Sequence, residues 1–180
     1  MSARESVSAP RSVTVRTAAF DDPASAPLLE GLRHEYSSRY GKVAPTELAR
    51  HPERFTTARR GALVLLLDGD ATVAGGALRE YDPELAAADA LPVGFPAEPT
   101  AEFKRIWTHS AYRRRGLARR VLEELEDRAR GFGYQQVFLA TGPSQPEAVG
   151  LYLAAGYTHL PDLGAATRGS VIHPFIKSLI

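Results

Sequence analysis

The 180-residue sequence has no cysteine, which excludes disulfides, thiolate metal sites, a cysteine nucleophile and any covalent thioester on the protein. It also lacks an excess of either charge. Lys and Arg number 22 against 21 Asp and Glu, a net charge of +1, whereas a protein that coats nucleic acid needs a basic excess over a whole face. No apolar run approaches the ~20 residues of a membrane span, and MSARESVSAPRS lacks the apolar centre of a signal peptide. The expectation is a cytoplasmic protein without membrane or nucleic-acid partners. Five histidines (His34, His51, His109, His159, His173) are scattered without ligand spacing, so no metal is expected.

What is present fits one folded domain, with 44% hydrophobic and 24% charged residues. Residues 1–11 read as a flexible tail and 12–180 as a single domain. Val13 and Val15 alternate with polar neighbours as a short strand. Asp22 and Pro23 then introduce a helix carrying Leu28, Leu29, Leu32 and Tyr36, which Gly41 ends. A second short helix is expected from Pro45 to about Phe55. Asp68-Gly69-Asp70 separates two apolar runs, 62–67 and 71–81, and predicts an antiparallel hairpin. Residues 83–100 read as a long loop. Beyond it come a strand at 103–108 and a helix from Arg113 to Arg130 with Leu117, Val121, Leu122, Leu125 and Ala129 on one face. A strand at 137–141, a helix at 146–155, and closing strands at 157–160 and 171–178 complete the pattern.

The stretch YRRRGLARR (112–120) raises the sharpest chemical question. A helix that begins just after a strand leaves its first N–H groups unpartnered and its end partially positive. Gly116 lets backbone approach a phosphate, Ala118 keeps the second approach narrow, and Arg113, Arg114, Arg115 and Arg119 add full charges. Cations at a helix N-terminus are unfavourable without an anion, so a pyrophosphate is the expected guest; the alternative is a set of merely solvated arginines. Neither GxxxxGK[ST] nor GxGxxG occurs.

Arg113-x-x-Gly116-x-Ala118 after a strand resembles the [R/Q]xxGx[G/A] signature of the GNAT superfamily of N-acetyltransferases. QPEAVGLYLAAGY (145–157) is similar to that family's NxxAxxLYxxxGF segment through Ala148, Leu151, Tyr152, Gly156 and Tyr157, with Gln145 in place of Asn. The resemblance spans 12–178 in topology and 101–157 in motif. It implies an α/β fold: a central, mixed, mostly antiparallel sheet of about seven strands, splayed in the middle and flanked by about four helices. It implies acetyl-CoA as co-substrate, with backbone of Trp107 and Thr108 on the pantetheine. The amides of 114–119, among them Leu117, would lie on the pyrophosphate together with the arginines, and Gln145 would stand at a cofactor contact. Transfer of acetyl to a primary amine of a small molecule or peptide would then be direct.

The same resemblance puts Tyr152 near the sulfur, where a phenol can donate to the departing thiolate; the alternative is a core aromatic. It makes Glu102 the candidate general base. Glu80, Glu35 or a water chain are rivals, and pairing with Lys104 or Arg105 is the structural alternative. His34, Glu35, Tyr36 and Tyr40 would contribute to the acceptor side. Two other classes stay open: an acyl-CoA sensor without turnover, and a nucleic-acid binder, against which the acidic VLEELED (121–127) argues. A homodimer is compatible with the reading.

Overall fold

The structure is a computed structural model and describes residues 12–41, 48, 51–84, 96–160 and 172–180. The expected tail lies outside these residues, as do residues 45–47, 49 and 50 of the expected second helix. Of that helix, Leu48 is helical and Pro52–Phe55 is a 3-10 turn.

The chain runs through β1 (Thr14–Ala18), α1 (Ala26–Tyr40), β2 (Ala62–Asp68), β3 (Ala71–Glu80), β4 (Thr100–Thr108), α2 (Leu117–Gly131), β5 (Gln136–Thr141), α3 (Pro146–Ala154), β6 (Thr158–His159) and β7 (His173–Ser178). The seven strands form one sheet in the order β1-β2-β3-β4-β5-β7-β6. Every neighbouring pair is antiparallel except β4–β5. Among the described residues three α-helices flank this sheet, where the sequence suggested about four. None of them is long and apolar enough to cross a membrane.

Strand β2 is apolar at every position from Ala62 to Leu67 because it is covered on both faces. Leu63, Leu65 and Leu67 join Leu28 and Leu32 of α1, with Ala77 and Trp107, in one core. Ala62, Val64 and Leu66 join Val121, Leu122, Leu125 and Ala129 of α2, with Phe103 and Tyr152, in the other. The five positions read as the apolar face of α2 are all buried. Asp22 caps the first turn through the Ala24 N–H at 2.8 Å, but that turn, Pro23–Ser25, is 3-10, and α1 proper starts at Ala26.

Candidate active site

The site begins with a bulge and a parting of strands. Gly75 pairs with Trp107 and Ala77 with Lys104, so Arg105 and Ile106 face the single residue Gly76, and Arg105 takes a left-handed φ of 59°. The extra residue reverses the side-chain alternation. Glu102, Lys104 and then Trp107 therefore face α1, while Phe103 faces α2. On its other side β4 pairs with β5 only through Thr100–Gln136, Ala101–Val137 and Glu102–Phe138. Beyond Glu102 the two strands separate, β5 staying with β7 and β4 with β3. The result is a cleft open through the middle of the sheet.

One lip of the cleft is the β4–α2 turn. A 3-10 turn at Ser110–Tyr112 leads through extended Arg113 to Arg114 at φ 61° and Gly116 at φ 74°, and Leu117 starts the helix. Among the described residues no side chain caps the α2 N-terminus, and no acidic residue stands in its first turn. Its first amides therefore have no intrahelical partner, an arrangement that favours negative charge. Arg114 has no ion pair among the described residues. Arg115 lies over the Tyr112 ring at 5.0 Å, Arg119 pairs with Glu123 at 3.2 Å, and Arg113 pairs with Glu35 of α1. Leu117 is buried in the core, so only its backbone can serve this lip, whereas Ala118 is half-buried. At the end of β4 the Thr108 hydroxyl oxygen is buried without a partner among the described residues. An orphaned hydroxyl beside an open strand edge fits a polar chain laid along that edge.

The other lip is the β5–α3 turn. Gln145 Oε1 accepts from Thr141 Oγ1 at 3.0 Å, and Gln145 Nε2 donates to Tyr40 Oη at 3.3 Å. Both ends of its amide are committed inside the protein. Arg39 donates to the Ser144 carbonyl and pairs with Glu147. Burial pushes the Glu147 carboxyl up, but the Arg39 guanidinium and a backbone N–H leave it below the usual range. The last turn of α1 thereby touches both lips, Arg113 through Glu35 and residues 144–147 through Arg39 and Tyr40. His34, on the same helix, is exposed. Arg39 was not singled out in the sequence; the helical spacing that puts residue 39 with 35, 36 and 40 was the available signal.

Tyr152 comes from α3 and is 6% exposed, packed on Phe175 at 5.4 Å and Tyr157 at 5.9 Å between ring centres. Burial, and secondarily the nearby Tyr36 phenol of α1, holds its hydroxyl well above the ordinary phenol range. Tyr152 lies on α3, which follows the β5 edge of the cleft, and packs with the core on the α2 face.

Glu102 is placed differently from a free base. It is 2% exposed; one oxygen accepts from Arg79 at 2.7 Å and the other from Lys104 at 3.1 Å. Lys104 is thus the partner, and Arg105 is not. The latter is held between Phe20 and Phe55, each 4.4 Å away, and donates to the Leu48 carbonyl. Arg79, the buried partner across the β3–β4 ladder, was missed in the sequence because nothing local marks a residue 23 positions away. Trp107 is packed against Gly31 of α1 and is 6% exposed, so its ring serves the core.

The family model described as the acetyltransferase (GNAT) family matches residues 29–157. No curated protein sequence matches the chain. Among solved structures, an acetyltransferase from Streptococcus agalactiae is similar at TM-score 0.69 and 15% identity, covering 92% of this chain and 98% of the other. A GNAT-family acetyltransferase from Staphylococcus aureus gives 0.68 and 12%, covering 93% and 100%. A GNAT-family acetyltransferase from Elizabethkingia anophelis with acetyl-CoA bound gives 0.60 and 15%, covering 92% and 97%. At these identities the likeness concerns the fold.

Proposed function

The chain belongs to the acetyltransferase (GNAT) family, and we propose that it transfers an acetyl group from acetyl-CoA directly to a primary amine of a small molecule or peptide. The observation that carries the reading is the cleft opened beyond Glu102, with an uncapped, arginine-flanked helix start on one lip and, on the helix that follows β5, a buried phenol. The amides of 114–119 and the charges of Arg113, Arg114, Arg115 and Arg119 hold the pyrophosphate, and Gly116 admits its approach. The free edge of β4 at Trp107 and Thr108 accepts the pantetheine. The amine nitrogen attacks the thioester carbonyl, the carbon–sulfur bond breaks, and Tyr152 donates its proton to the departing thiolate.

Burial keeps the Tyr152 phenol protonated in the resting site but makes it a weaker acid, so its donation has to accompany carbon–sulfur cleavage rather than follow it. The expected base, Glu102, enters the proposal instead as the buried counter-charge of Arg79 and Lys104. The amine loses its proton to water on the α1 face. This engagement of Glu102 also favours one second reading, a sensor that binds acetyl-CoA without turnover.

Purified protein supplied with acetyl-CoA and pools of primary amines, assayed for free thiol, tests the proposal. Thiol release should depend on both the amine and Tyr152. A Gly116→Glu variant should lose acetyl-CoA binding in calorimetry, because its carboxylate would occupy the phosphate position. Undiminished binding would remove the turn from the site. Tight binding by the parent with no amine-dependent release would establish the sensor.

A further inference from the structure

In a cleft whose lips belong to different strands, a contact that ties one lip to the helix over the opposite face can transmit what happens on one side to the other. Thr141, Gln145 and Tyr40 make such a tie. Thr141 ends β5, Gln145 precedes α3 and Tyr40 ends α1, and the three are joined by hydrogen bonds of 3.0 and 3.3 Å. Its geometry is tight. A β-carbon on Gly142 would lie 2.1 Å from the Tyr40 hydroxyl, so the phenol rests on the turn itself. Arg39 reinforces the tie one residue earlier, through Ser144 and Glu147.

We propose that Gln145 is a positioning residue for the acceptor amine: through Tyr40 it fixes the last turn of α1 over the cleft when the β5–α3 lip is ordered by acetyl-CoA. The inference rests on the acetyltransferase reading. A residue with both amide ends bound inside the protein acts through those partners, and asparagine, one methylene shorter, cannot hold both at these distances. The cofactor side and the acceptor side thereby share one hydrogen-bonded linkage, and binding on the first tightens the second.

Hydrogen exchange of residues 35–41, with and without saturating acetyl-CoA, reads the linkage directly. In the parent acetyl-CoA should slow exchange there by about 5-fold or more, the lower end of ordinary coupling between sites. Gln145→Ala and Gln145→Asn should bind acetyl-CoA with unchanged Kd in calorimetry yet lose that protection. For the amine found in the thiol-release screen, both variants should raise KM by about 5-fold with a smaller change in kcat, and Tyr40→Phe should add little to Gln145→Ala. Protection retained in both Gln145 variants would overturn the proposal. So would weakened acetyl-CoA binding with unchanged exchange, which would make Gln145 a direct cofactor ligand. Failure of the parent to bind acetyl-CoA would sink the acetyltransferase reading itself, whereas binding without protection of α1 would sink only this inference.

Discussion

Arg79 and Glu102 face each other across the β3–β4 ladder at 2.7 Å, with their side chains only 7% and 2% exposed. A buried pair of this kind contributes little beyond an apolar pair of the same shape, but breaking it leaves a charge without water or partner.

Glu102→Gln should therefore destabilise the fold by about 3–5 kcal/mol, since Arg79 and Lys104 would be left as neighbouring cations. Urea denaturation measures this. Adding Arg79→Met should recover much of the loss. Among folded molecules the pH profile of kcat/KM should keep the parent's shape; disappearance of its acidic limb in the variant would restore Glu102 as the general base.

Gly31 is the place where α1 meets the bulged strand, and a β-carbon there would come within 2.2 Å of the Trp107 Nε1. Alanine would gain about 1 kcal/mol in helix propensity but must displace a buried indole, at a cost of about 1–3 kcal/mol. Gly31→Ala should lower Tm modestly and Gly31→Val further, with the acceptor KM rising because α1 is lifted from the sheet. A more stable alanine variant would show that the indole yields without cost.

Tyr134 follows α2, donates to the Arg60 carbonyl at 3.0 Å, and has its phenol pushed up to about 12 by burial, with Arg60 opposing. Between about pH 10, the ordinary phenol value, and 12, the unfolded chain has released this proton while the folded chain keeps it. The folded state then binds more protons, so stability is fully present below about pH 10 and falls as pH rises toward 12. Urea midpoints across that range should drop more steeply for the parent than for Tyr134→Phe. The buried Tyr152 and Tyr157, also raised by burial, keep part of the slope in the variant. Identical slopes would mean that Tyr134 titrates alike in both states.

How far these features could be read in the sequence depends on how local their causes are. The apolar stripe of α2 and the Asp68-Gly69-Asp70 turn are each written within a few residues and occur where expected, whereas the helix expected from Arg113 begins at Leu117, because Arg113 is extended and Arg114 and Gly116 take left-handed backbone. The bulge at Arg105 is not local, because it exists only in the count of residues between two strands. Nor is the Arg79–Glu102 pair, which depends on that register, or the tie from Arg39 and Tyr40 to the β5–α3 turn about 105 residues away. The motif assigned Gln145 to the cofactor by position; its side-chain length and the phenol opposite turned it toward α1.

Tyr152→Phe isolates the proposed acid, because it removes one hydroxyl while the ring keeps its contacts with Phe175 and Tyr157. No hydrogen bond to that hydroxyl occurs among the described residues, so stability should hardly change. Turnover should fall by roughly 100-fold, the lower end of the range for losing a positioned acid, with acetyl-CoA affinity nearly constant since the lost interaction forms only as the thiolate develops. Burial keeps the phenol protonated beyond its ordinary value, so the parent's kcat should show no alkaline decline from this group below about pH 10. A thioester with a more acidic thiol needs a proton donor less. The gap between parent and variant should narrow with such a donor, and a deficit independent of leaving-group acidity would assign Tyr152 to packing rather than proton transfer.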